Sequence, residues 1–115
     1  MKLLIAVINH EEKVDEILSG FVELGVTGAT LISSEGMGRV LSHDVPIFAG
    51  LRGLAATSRP RNQTILSAIE DDKVDGVIKL LREVCGDLAD PATGIVMTVA
   101  LDRVVGLAPE LGEPI

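Results

Sequence analysis

The sequence predicts an α+β fold in which two helices cover one face of a four-stranded antiparallel sheet. Three observations point there. Four short aliphatic runs, at residues 2–8, 27–34, 63–69 and 95–101, have the length of strands. Two segments, 11–24 and 71–85, repeat their apolar residues at helical spacing. Their order along the chain is βαββαβ, that of a ferredoxin-like sandwich in a single domain spanning residues 1–115.

Lys2 to Ile8 is a continuous run of leucine and β-branched residues, interrupted by Asn9 and His10. From Glu11 onward, Val14, Ile17, Leu18, Phe21, Val22 and Leu24 recur at helical spacing, and Glu11 and Glu12 complement the dipole of the first turn. Gly25 is placed to end this helix as a left-handed cap. Thr27 to Ser34 predicts the second strand, which runs into a Gly36-Met37-Gly38-Arg39 corner.

Residues 36–61 are long for a connection. Within them Val45, Ile47, Phe48, Leu51, Leu54 and Ala55 fall near helical spacing, with Asp44 as a cap and Pro46 in the first turn. Gly50 and Gly53 each weaken such a helix by about 1 kcal/mol relative to Ala. The expectation is a short helix packed on its own assembly or docked on a partner, against the alternative of a loop covering a neighbouring subunit. Gln63 to Ile69 predicts the third strand. Asp71 or Asp72 then starts a helix with Val74, Val77, Ile78, Leu81 and Val84 on one stripe, closed by Gly86. Ile95 to Leu101 predicts the fourth strand, Asp102 to Val105 a single turn, and Gly112 to Ile115 a tail.

Hydrophobic residues make up 47% of the chain and mean hydropathy is +0.41, yet there is no Trp, no Tyr and only two Phe, so the core must be aliphatic. That much aliphatic surface on 115 residues predicts burial against other copies of the chain. A net charge of −7 with almost no aromatic rings argues against nucleic acid as a partner. Cys85 has no second cysteine for a disulfide or a thiolate metal site, and it reads as an unreactive residue on a helix face. Met1 to Ile8 is too short for an export signal, and no apolar run reaches membrane-spanning length, so a cytoplasmic location is expected.

The glycines of the corner let a ligand approach exposed backbone N–H groups, and Arg39 adds a fixed-charge fork suited to phosphate or carboxylate. Arg39 reads equally as an intersubunit ion pair, and Arg59 and Arg61 as solvated loop charges. His10 and His43 lack the partners of a metal cluster, and no serine sits in a nucleophile elbow, so neither a metal site nor a catalytic constellation is expected.

Landmarks in order give the chain a resemblance to a known family. Met1-Lys2, Leu24-Gly25-Val26-Thr27-Gly28-Ala29-Thr30, Gly36-Met37-Gly38-Arg39 and Glu70-Asp71-Asp72-Lys73-Val74-Asp75 resemble the pattern of the PII nitrogen regulatory proteins over nearly the whole length. The resemblance implies a homotrimer with ligand clefts between subunits, an adenine nucleotide bound there, often with 2-oxoglutarate, and a T-loop, here within 36–61, that engages a target protein. It places Thr30 at a nucleotide-contacting threonine, Gly36, Met37, Gly38 and Arg39 at the T-loop base, and Ile8 beside the adenine.

The chain also departs from that pattern. Val40 stands where the family has a glutamine and Asn62 where it has a lysine. The stretch Asp87 to Gly94 lacks the B-loop lysine, and Gly106 and Ala108 fall where the family carries two arginines. Each lost charge-assisted contact removes about 1.5–3 kcal/mol, so an adenine nucleotide is expected to bind weakly unless Arg59 or Arg61 supplies the missing charge. The leading reading is a regulatory protein that binds a small anionic metabolite or nucleotide near Ile8, Thr30, Gly36, Met37, Gly38, Arg39, Arg59 and Arg61. The alternatives are a small ferredoxin-like enzyme using His10 or His43 and a protein-binding adaptor without a ligand; fold alone does not choose among them.

Overall fold

The computed structural model describes residues 1–37, 61–86 and 94–107. Strand β1 (Lys2–Ile8) leads through a tight turn at Glu11–Lys13 into helix α1 (Val14–Glu23). Strands β2 (Thr30–Ser34) and β3 (Asn62–Ile69) follow. A second tight turn at Asp71–Lys73 opens helix α2 (Val74–Cys85), and β4 (Gly94–Ala100) completes the βαββαβ order. The strands lie in the order β2-β3-β1-β4 and every neighbouring pair is antiparallel. This is the predicted α+β, ferredoxin-like sandwich.

Alternation along the strands gives the sheet two unlike faces. Leu4, Ala6, Ile8, Ile65 and Ile69 point to the helices and are buried with Ile17, Phe21, Val26, Val77 and Leu81. The helices approach closely at Gly20, where a Cβ would come within 2.5 Å of the Leu80 methyl groups. The opposite face, read from the register, carries Leu3, Ile5 and Val7 of β1, Leu66 and Ala68 of β3, and Ile32, Ile95, Met97 and Val99 of the edge strands. Ile95, Met97 and Val99 remain 41–52% exposed. An antiparallel sheet with a solvated face normally alternates apolar with polar residues, and this one does not.

The end of α1 shows how local chemistry fixes the path. Gly25 takes φ 86°, and its N–H donates to the Val22 carbonyl while the Val26 N–H donates to that of Phe21. This is the paired closure of a left-handed cap, with Val26 buried along with Phe21. The predicted second strand begins three residues late. The Gly28 carbonyl accepts a 2.6 Å hydrogen bond from the Ser67 hydroxyl, so the segment before Thr30 is tied to β3 by a side chain rather than by the ladder. Ser67 is 3% exposed, and Ser67→Ala is expected to destabilise the fold by about 1–2 kcal/mol, measured as a shift of the denaturation midpoint at unchanged slope.

Both helices are entered by the same device. Glu11-Glu12-Lys13-Val14-Asp15 and Asp71-Asp72-Lys73-Val74-Asp75 each form a tight turn followed by the first helical residues, with Lys13 N–H donating to His10 and Lys73 N–H to Glu70. In the second copy Asp71 lies 3.1 Å from the Met1 amino group and 3.9 Å from Lys2 Nζ. The hydrogen bond from the amino group, reinforced by the Lys2 charge, holds the Asp71 carboxyl below its ordinary pKa. A depressed acid stabilises the folded state above its unfolded pKa and loses that contribution as pH falls through the folded value. Stability is therefore expected to fall on acidification below about pH 4, with a weaker fall in Asp71→Asn, as followed by thermal melts across pH.

Cys85 is half-buried at the end of α2, and burial pushes its thiol above the ordinary value. The predicted turn at 102–105 is absent. The chain instead bends at Asp102 and at Gly106, where φ is 90°, and the β-branched pair Val104-Val105 is poorly suited to a helical turn. The predicted helix within 44–55 and the tail at 112–115 lie outside the described residues.

Candidate functional site

The sheet register gathers most of the described candidates at one end of the sheet. Ile8 closes β1 opposite Gln63 of β3 and Gly94 of β4, and Ser34 closes β2 opposite Asn62. Gly36, Met37 and Arg61 sit immediately beyond these pairs, so the two ends of the 36–61 connection meet here. Gly36 packs close to Asn62: a Cβ on it would lie 3.8 Å from Asn62 Nδ2. Met37 is 76% exposed and Arg61 is exposed, so both present their side chains at this end.

Two candidates are placed differently. Ile8 is wholly buried between sheet and helices, so it supports this end of the sheet from within the core rather than offering a contact surface. Thr30 is exposed but pairs with Leu66, four residues down β2 from Ser34 and about 13 Å away at ordinary strand rise. It shares the open face of the edge strand with Ile32 and Ser34. Gly38, Arg39 and Arg59 lie outside the described residues.

The polar residues that stand out at this end are Ser34 and Thr64, which the sequence reading passed over, and Asn62, which it noted only for a missing charge. Asn62 is only 7% exposed. The Ser34 hydroxyl donates to Asn62 Oδ1 and lies 2.8 Å from Thr64 Oγ1. Ser34, Asn62 and Thr64 fall on the open sheet face, in a patch bordered by Ile32 and Val7. Polar residues at alternate positions of aliphatic strands, all near the glycine corner, were the available signal.

Two cavities among the described residues lie elsewhere. One, about 20 Å³, is framed by Met1, Gly25, Gly28, Glu70, Lys73 and Leu107, and it has room for about a single water. Another, of about 220 Å³, runs between α1 and the start of β2 and is lined by Leu18, Phe21, Val22, Val26 and Thr27 through Ala29. Neither includes a predicted site residue. Among the described residues no group of three or more His, Cys, Asp or Glu is arranged to hold a metal ion. His10 Nδ1 lies 3.4 Å from a Glu12 carboxylate oxygen. No helix among the described residues is long and apolar enough to cross a membrane.

Among the described residues the arrangement is thus Gly36, Met37 and an exposed Arg61 at the rim of a sheet whose apolar face is uncovered. No curated protein matches the chain at a significant level. The family model for nitrogen regulatory protein P-II matches residues 1–110, a span that contains the four strands and two helices of the described residues and the whole glycine corner of the sequence. The chain therefore belongs to the nitrogen regulatory protein P-II family of regulatory signal-transduction proteins.

Proposed function

We propose that this chain is a PII-like sensor that binds a small anionic metabolite or nucleotide in clefts between the subunits of a homotrimer and relays its presence to a target protein, in nitrogen regulation. The observation that carries the reading is the family match over residues 1–110. The uncovered aliphatic sheet face supports the assembly, because identical subunits related by rotation would bury that face against one another. In this reading the anion lies along the rim formed by Gly36, Met37, Gly38 and Arg39, with Thr30 farther along the same open edge, Arg59 or Arg61 supplying charge and residues 40–61 carrying the signal. The protein acts in the cytoplasm.

Thermal shift with a panel of nucleotides and organic acids tests the ligand. A true ligand at 100 times its dissociation constant adds about 2.7 kcal/mol of stability. Calorimetry with Arg39→Ala and with Arg59→Ala/Arg61→Ala is expected to show weakened binding, and unchanged affinity in both would place the site elsewhere.

A further inference from the structure

Asn62 is nine-tenths buried, and a buried carboxamide normally has both its oxygen and its nitrogen paired. Its oxygen is paired. Ser34 has one hydroxyl proton, which it donates toward Asn62 Oδ1 and, at 3.4 Å, the Asn62 main-chain carbonyl. With that proton committed, the 2.8 Å contact between Ser34 and Thr64 must be donated by Thr64. The three side chains therefore form a directed chain, from Thr64 to Ser34 to Asn62 Oδ1. In this arrangement Nδ2, with its two hydrogens, lies on the side of Gly36.

Among the described residues no acceptor sits on those hydrogens. We propose that Ser34, Asn62 and Thr64 form a subsite for a neutral carbonyl oxygen, such as that of a carboxamide, bound by the Asn62 Nδ2 hydrogens. Two donors on one nitrogen call for an oxygen acceptor. Neutrality follows from the surroundings. All three members are uncharged, so the triad itself offers a carboxylate no charge to offset the hydration it would lose on entering. Gly36 leaves the approach to Nδ2 free of a side chain. This inference goes beyond the regulatory reading and does not need it, since the subsite is defined by the triad alone.

The test uses the full-length chain labelled with ¹⁵N, with acetamide and acetate as probes and the Asn62 side-chain amide signals as the readout. Acetamide is expected to shift those signals saturably, with half-saturation at a concentration at least about tenfold lower than acetate. Asn62→Asp should abolish the acetamide effect, and Ser34→Ala, which frees the amide to turn, should weaken it several-fold. Thr64→Val should also weaken it and serves if either other variant fails to fold. Amide signals unmoved by acetamide, or moved as readily by acetate, would overturn the subsite. So would a drop in assembly mass in Asn62→Asp, because it would assign the missing carbonyl to a neighbouring copy. Nucleotide-induced stabilisation measured on the same sample separates the two readings: if it persists while Asn62 stays silent, the subsite falls and the sensor stands.

Discussion

Met97→Asp combined with Val99→Asp is expected to leave the chain monomeric, at the 12.1 kDa of a single copy, with its fold retained. Both residues lie on β4 and face away from the helices, 41% and 49% exposed in the isolated chain. In a lone subunit two carboxylates there stay hydrated, and the cost is limited to the modest strand preference lost. In the proposed trimer the same positions are enclosed by apolar neighbours, where each unpaired charge costs several kcal/mol. Burying a large aliphatic side chain contributes about 1.5–3 kcal/mol, so the native pair favours assembly as strongly as the variant opposes it. Light scattering beside circular dichroism checks both halves of the expectation. A native chain that is monomeric at micromolar concentration, or a variant that keeps the native assembly mass, would remove the argument from the open face.

The same face explains what could be read from the sequence. Continuous aliphatic runs such as Lys2–Ile8 announced strands, and the bounds of β1 coincide with that run because Asn9 and His10 end it abruptly. The left-handed cap at Gly25 was legible because only glycine takes φ 86° without strain after a helical stripe. The late start of β2 was not, because it depends on a hydroxyl 39 residues away, on Ser67. The paired Lys-Val-Asp helix entries were present in the sequence and went unused, although they mark the two βαβ halves of the fold.

The site was legible only in outline. The Gly36-Met37 corner and Arg61 come together because β2 and β3 are neighbours, which the βαββαβ order implies. Ile8 was read as a ligand neighbour from its place in the pattern, but residue parity along β1 sends its side chain to the helices. Asn62 was noted for the charge it lacks, whereas its burial and its bond from Ser34 arise only when the two strand ends are side by side.

Gly94→Ala is expected to be among the most damaging single-methyl additions in the fold. Gly94 opens β4 at φ 149°, a region that residues with a Cβ rarely enter, and strain of this kind costs about 1–3 kcal/mol. Space makes it worse. A Cβ on Gly94 would overlap the main-chain carbonyl oxygen of Val7 and lie 3.6 Å from the Ile8 Cα. Backbone cannot swing aside as a side-chain tip does, so the β1–β4 ladder must open at the end where Ile8 pairs with Gly94. The expected loss is about 2–4 kcal/mol. Gly86→Ala and Gly106→Ala are the controls. Their φ angles, 88° and 90°, also disfavour a side chain, but nothing lies within 4 Å of either added Cβ. Those two should cost about 1–3 kcal/mol through conformation alone, less than Gly94→Ala, which adds the clash with the Val7 carbonyl. Urea midpoints for the three variants measure the difference, and amide exchange should localise the Gly94→Ala defect to Val7, Ile8 and Ile95. Equal losses in all three would mean that the Val7 carbonyl yields at no cost and that backbone conformation accounts for the whole effect.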